Sequence, residues 1–195
     1  MILVRPTDTK EYLNIIARYK NSTEPFLGIG ITSQLTVYDT GKGDINLNAC
    51  SELQAIVIPY VSNGGTAVSN IGDLSIYFGV KGNHSNWCKY MFKSIKLWLI
   101  SQGINAVEEN NDITIHGKKI MGYTEHPHSE YSSGSIFIAM TNSQELVSKI
   151  CLKPKTRKTA GLNEYGITAY EISEVIITAT QNYLNSLKLE GDNKC

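Results

Sequence analysis

The chain has 195 residues, enough for one domain with a substantial core, and its 18 basic and 18 acidic residues leave no net field to gather nucleic acid or an anionic membrane. Any anionic ligand must therefore be held by a local site. The four cysteines (Cys50, Cys88, Cys151 and Cys195) are scattered without the close pairing of a zinc or redox motif, and four ordinary thiols are expected.

The Ile2-Leu3-Val4 run before Arg5-Pro6 is too short for a signal peptide core. The apolar stretch at 95–100 is broken by Lys96, so a soluble, cytoplasmic protein is expected. A first helix is predicted from Asp8, with Glu11 as its capping partner and Leu13, Ile16 and Ala17 on the face that should cover a sheet. Residues 54–61 are rich in β-branched side chains and read as a strand, with Pro59 pointing to an edge or a bulge.

Ser62-Asn63-Gly64-Gly65-Thr66-Ala67 and Asn70-Ile71-Gly72-Asp73 follow. Their glycines permit a concave nest of N–H groups for a phosphate or carboxylate, and equally an ordinary hairpin turn. Neither a Walker lysine nor a Gly-x-Gly-x-x-Gly spacing is present. Strands are predicted at 66–68 and 74–80. The clearest helix runs over 85–102, where Cys88, Met91, Phe92, Ile95 and Leu99 keep the three-four spacing and Gly103 supplies the stop. Trp87 and Trp98 belong to its packing.

Residues 110–122, Asn-Asn-Asp-Ile-Thr-Ile-His-Gly-Lys-Lys-Ile-Met-Gly, read as a hairpin turning at His116-Gly117. Regular pairing would set Thr114 opposite Lys119 and Asp112 opposite Met121, with Asp112 and Lys119 on one face. Lys118 would fall on the other face, with Ile113, Ile115 and Ile120. A site built on Lys119 and a surface ion pair are both compatible with this pattern. His126 and His128 have no third ligand at recognisable spacing and read as a polar loop.

A strand at 135–140 leads to a helix from Asn142, with Glu145 as capping partner and Pro154 as terminator. Cys151 reads as a core thiol beside a solvated basic loop of Lys153, Lys155, Arg157 and Lys158. A last helix starts at Thr168 with Glu171 three positions on. It presents Ile172, Val175, Ile176, Ala179 and Leu187 and is expected to pack on the sheet. Interleaved strands and helices without a repeat or linker make this a mixed α/β or α+β chain, read as one domain over 1–195.

Together the two polar segments resemble the signature regions of the biotin and lipoate protein ligase family. Asn-Gly-Gly-Thr-Ala-Val at 63–68 and Gly-Asp-Leu at 72–74 are similar to its Ser-Gly-Gly-Gly-Ala-Val and Gly-Asn-Leu blocks. Asn111-Asp112-Ile113 through Gly117-Lys118-Lys119-Ile120-Met121-Gly122 is similar to its Asn-Asp-Ile, turn, Lys-Lys-Val-x-Gly element, and Gly134-Ser135-Ile136 resembles the strand beyond it. Residues 28–34 and 45–53 resemble the strand and helix that precede the glycine block.

The resemblance implies a central, largely antiparallel sheet flanked by helices, as a catalytic domain without an accessory domain. It also implies ATP-dependent activation of lipoate, biotin or octanoate as an acyl-adenylate, followed by transfer to a lysine of an acceptor domain. Lys119 would contact the acyl carbonyl and phosphate. Asn111 and Asp112 would lie beside the nucleotide phosphates and Mg²⁺, with Asp112 the metal ligand. Asn63, Gly64, Gly65, Thr66 and Ala67 would run along the cofactor, with Gly122 and Ser135 completing its site. Two arginines usual in lipoate ligases before the glycine block are here Tyr60 and Val61. A non-catalytic binding homologue therefore stands beside the ligase reading. A thiol-dependent lipoyl or octanoyl transferase is a third reading, although no cysteine occurs between Cys88 and Cys151.

Overall fold

The computed structural model describes residues 1–5, 11, 14, 24–59, 65–81, 86–127, 131–153 and 157–192. In chain order its elements are β1 (Ile2–Val4), β2 (Phe26–Ile31), β3 (Thr36–Asp39), α1 (Leu47–Glu52), β4 (Ile56–Pro59), β5 (Ala67–Ser69), β6 (Leu74–Lys81), α2 (Trp87–Ser101), β7 (Ala106–Glu109), β8 (Asp112–Ile115), β9 (Lys118–Pro127), β10 (Tyr131–Ile138), α3 (Gln144–Ile150) and α4 (Ala169–Asp192). A 3₁₀ turn at Leu162–Tyr165 precedes α4.

Seven strands form the main sheet in the order β1-β2-β6-β10-β9-β8-β7, antiparallel except at β1/β2. A small sheet, β4-β3-β5, pairs β3 with β4 in parallel and with β5 antiparallel. The fold is thus a mixed α/β architecture with a central, largely antiparallel sheet flanked by helices, as expected. Pro59 lies on the edge strand β4.

The stripe expected on α2 is the core: Cys88, Met91, Phe92, Ile95 and Leu99 are all fully buried. Each large apolar side chain removed from water in this way contributes about 1.5–3 kcal/mol. At the start of the helix Trp87 stacks on Phe78 of β6, with ring centroids 4.6 Å apart and planes 13° from parallel. Gly103 at φ +79° ends the helix.

The reciprocal cap at Thr168 and Glu171 forms as the spacing predicts. The Thr168 N–H donates to Glu171 Oε2 at 2.8 Å, and the Glu171 N–H donates to Thr168 Oγ1 at 3.2 Å. Helix α4 packs along α2 and shares its core with the sheet, where Ile172, Ile176 and Tyr183 join the cluster of Ile76, Phe78 and Val80. The Trp87 indole N–H meets Thr180 Oγ1 at 3.4 Å, and Tyr183 packs on Tyr90 and on the edge of Phe78. The cap expected at Glu145 does not form. Asn142 Oδ1 accepts from the Gln144 N–H, and Glu145 pairs with Lys149 at 2.7 Å one turn on.

A second apolar cluster, Leu35, Val37, Ile45, Cys50 and Ile150, joins the small sheet to α1 and α3. Cys50, Cys88 and Cys151 are buried. Of the expected first helix only Glu11 and Asn14 are described, both helical. Leu13, Ile16, Ala17, Tyr60, Val61, Asn63, Gly64, His128, Pro154 and Cys195 lie outside the described residues, as does the His126 side chain. Among the described residues no helix is long and apolar enough to cross a membrane.

Candidate active site

Two tight turns build the site. His116 and Gly117 take φ of 50° and 72°, which places both central residues where a type I′ hairpin needs them and joins β8 to β9 as predicted. Asn110 and Asn111, at φ 50° and 64°, do the same between β7 and β8, a turn the sequence reading did not anticipate. Asparagine tolerates this left-handed geometry better than most residues.

Thr114 faces Lys119 as expected, but the ladder then shifts at Ile113/Thr114. Ile113 pairs with Met121, and Asp112 pairs with Gly122 instead of Met121. Strict alternation would have exposed one of the adjacent Ile120 and Met121, whereas the bulge leaves both 1% exposed. Gly122 therefore stands opposite Asp112, on the face that carries Lys119. Lys119 Nζ reaches Asp112 Oδ1 at 2.7 Å, and a Cβ built on Gly122 would lie 2.8 Å from that nitrogen and 3.0 Å from that oxygen.

Beyond the end of β10, the segment 158–160 takes over as neighbour of β9. The Lys119 N–H donates to the Lys158 carbonyl at 2.8 Å, the Ala160 N–H donates to the Lys119 carbonyl at 3.0 Å, and Thr159 bridges Lys119 in parallel. This pairing carries Arg157 to the hairpin. Its Nη2 lies 2.8 Å from Glu109 Oε2, and its Nη1 lies 3.5 Å from Asp112 Oδ2. Asp112 is thus flanked by two cations.

Lys119, Asp112, Asn111 and Gly122 line one side of a cavity of about 830 Å³, and Gly65, Thr66 and Ala67 line another. That volume is in the range of small-molecule sites. The glycine segment is anchored from below by Thr66, whose hydroxyl donates to the buried Asp44 Oδ1 at 2.7 Å. Ser135, also predicted for the site, is buried in mid-strand between Tyr77 and Thr124 and is not among the lining residues.

The cavity also has walls that the sequence reading missed. Asp73 Oδ1 accepts from the N–H groups of Met140 and Thr141 and its Oδ2 from that of Asn70, yet burial outweighs these bonds and pushes its carboxyl up to about 6. This carboxylate ties the turn at 70–73 to the end of β10. On the side of α2 lie Lys89, Tyr123 and Glu125. Glu125 Oε1 accepts the Cys88 N–H at 2.7 Å, capping α2, and burial raises its carboxyl. Burial, then the charge of Glu125, pushes the Tyr123 phenol up to about 12, so it stays neutral.

Arg157 is the principal residue that sequence reasoning left out of the site. The only local signal, an Arg and a Thr two apart in a basic stretch, does not reveal which strand they meet. Among the described residues no cysteine lines the cavity, and no group of three His, Cys, Asp or Glu side chains is arranged to hold a metal ion. With Asp112 Oδ1 on Lys119 and Oδ2 facing Arg157, a divalent cation fits here only if a ligand brings oxygens of its own and draws Arg157 aside.

No protein-family model matches the chain, and no curated protein matches it in sequence. Solved structures do match. A Thermoplasma acidophilum protein, described as a lipoate protein ligase and solved with bound lipoic acid, superposes at a TM-score of 0.75 with 14% identity, covering 94% of this chain and 85% of its own. A lipoate-protein ligase A bound with ATP gives 0.75 at 16% identity, with 94% and 84% covered. The biotin protein ligase of Aquifex aeolicus gives 0.54 at 12% identity, with 96% and 70% covered. At such identities the likeness speaks for architecture, and the chain has the fold of the biotin and lipoate protein ligases.

Proposed function

We propose that the protein is a lipoate–protein ligase-like enzyme. It joins a carboxylic acid of the lipoate, octanoate or biotin type to ATP as an acyl-adenylate and passes the acyl group to a lysine of an acceptor domain. The observation that carries this reading is the convergence of Lys119 with Gly65, Thr66 and Ala67 on one cavity, two segments far apart in sequence.

The acid's carboxylate oxygen attacks the α-phosphorus of ATP, the bond to the β-phosphate oxygen breaks, and pyrophosphate leaves. The acceptor amine then attacks the acyl carbonyl, loses its proton and expels AMP. Negative charge grows on phosphoryl oxygens in the first step and on the carbonyl oxygen in the second. A fixed ammonium beside both positions lowers both barriers. Lys119 is that cation, and Asp112 holds it in place from the neighbouring strand. Asn111 is placed at the turn that opens onto the same cavity. Magnesium, held by Asp112 together with phosphate oxygens, would neutralise charge on the leaving pyrophosphate.

A non-catalytic binding homologue is the second reading, favoured by the ion pairs that already engage Lys119 and Arg157. Pyrophosphate exchange into ATP, assayed with lipoate, octanoate and biotin in turn, separates the two. Exchange with one acid supports the ligase, and silence with all three rejects it.

A further inference from the structure

The main-chain pairing of residues 158–160 with β9 places a second row of polar groups beside Lys119. Thr159 is the parallel partner of Lys119, so their side chains leave on the same face, and Arg157, at a bend two residues earlier, reaches Glu109 and Asp112 beside them. All three line the cavity. Among the described residues Thr159 Oγ1 has no hydrogen-bond partner, an unusual state for a hydroxyl, and because the atom is occluded a ligand oxygen meets it only after a turn about χ1.

Arg157 is held by three contacts: its Nη2 lies 2.8 Å from Glu109 Oε2, its Nη1 donates to the Glu109 carbonyl at 3.3 Å, and the same Nη1 lies 3.5 Å from Asp112 Oδ2. The Glu109 carboxylate is about half exposed and the Asp112 contact is at the limit of a hydrogen bond, so an oxyanion in the cavity competes with both for the guanidinium. Its planar fork matches two oxygens of one phosphate, which a single ammonium does not.

We infer that Arg157 and Thr159, next to Lys119 at the α-phosphate, form the subsite for the pyrophosphate portion of a nucleoside triphosphate. The choice of nucleotide rests on the ligase reading; the oxyanion subsite rests on the geometry. A carboxylate could use the same donors, but a row of three donors on adjacent chains suits a polyphosphate better than a single carboxylate.

Calorimetric titration of the purified protein with inorganic pyrophosphate, ATP and octanoate tests this. Arg157→Gln should weaken pyrophosphate and ATP binding by about tenfold or more, the range of a lost charged hydrogen-bond pair. Thr159→Val, which leaves the ion pairs intact, should weaken both by about threefold or more, the range of a single hydrogen bond. Octanoate affinity should not change in either variant. Circular dichroism identifies the folded variants, and unchanged pyrophosphate affinity in either folded variant overturns the assignment. Failure of the unsubstituted protein to bind pyrophosphate overturns it too, as does a loss confined to octanoate. Silent exchange with every acid, alongside pyrophosphate binding that needs Arg157, would reject the ligase reading and keep this subsite.

Discussion

Gly122 lies directly across the strand pair from Asp112, and its missing side chain is what lets the Lys119 ammonium reach the Asp112 carboxylate. The two positions face each other only because β9 bulges after Lys119. Together they convert an otherwise ordinary hairpin into a fixed cation at the edge of a cavity.

Gly122→Ala tests that relationship. Gly122 is not at positive φ, so alanine fits the backbone, but its Cβ would lie 2.8 Å from Lys119 Nζ and must push the ammonium aside. The exposed ion pair itself contributes at most about 1 kcal/mol, so Tm should fall by only a few degrees. Pyrophosphate exchange should fall by about tenfold, because the added methyl drives the ammonium off the position that Asp112 sets for it. Retained exchange in the folded variant would show that the position of Lys119 is not critical.

Asp73 gives stability a pH dependence of defined sign. Its carboxyl is raised from 3.8 to about 6, mainly by burial, so the folded state holds the proton more tightly than the unfolded state. This contribution to stability is full below the ordinary value of 3.8 and falls as pH rises towards about 6, by at most about 3 kcal/mol. Thermal unfolding across that window should show the loss. Asp73→Asn should flatten the slope while giving up the bond to the Asn70 N–H, because an amide nitrogen cannot accept it. A variant with an unaltered slope would assign the pH dependence to another group.

Gly134 is fixed by packing rather than by dihedral freedom. A Cβ there would lie 2.6 Å from Cys88 Sγ and 3.2 Å from Trp87 Cε3. Gly134→Ala should therefore cost about 1–3 kcal/mol in denaturant unfolding, as overpacked cores do. Adding Cys88→Ala removes the sulfur and should recover part of that loss. The pair would then be non-additive, as expected of residues in contact. Simple addition of the two effects would rule out the clash as the cause.

Elements governed by local rules were legible in the sequence. The α2 stripe, the Thr168–Glu171 cap, the edge position of Pro59 and the turn at His116-Gly117 each follow from spacing or dihedral preference within a few residues. The shared face of Asp112 and Lys119 was legible too, but not the bulge that sets Gly122 between them. Burying two adjacent apolar residues competes with strict alternation, and only the packed sheet shows which wins. Glu145 fits a capping spacing and also an i,i+4 pair with Lys149; the pair formed. Arg157 was illegible for a different reason. Its place depends on the parallel bridge between Lys119 and Thr159, a contact across 40 residues that no local pattern encodes.

ATP–pyrophosphate exchange in the unsubstituted protein against Lys119→Ala separates the cation of an adenylating site from a surface ion pair. Exchange should depend on lipoate or a related acid and be lost in Lys119→Ala, with circular dichroism and Tm nearly unchanged. Exchange that persists in a folded Lys119→Ala variant would show that Lys119 is not that cation.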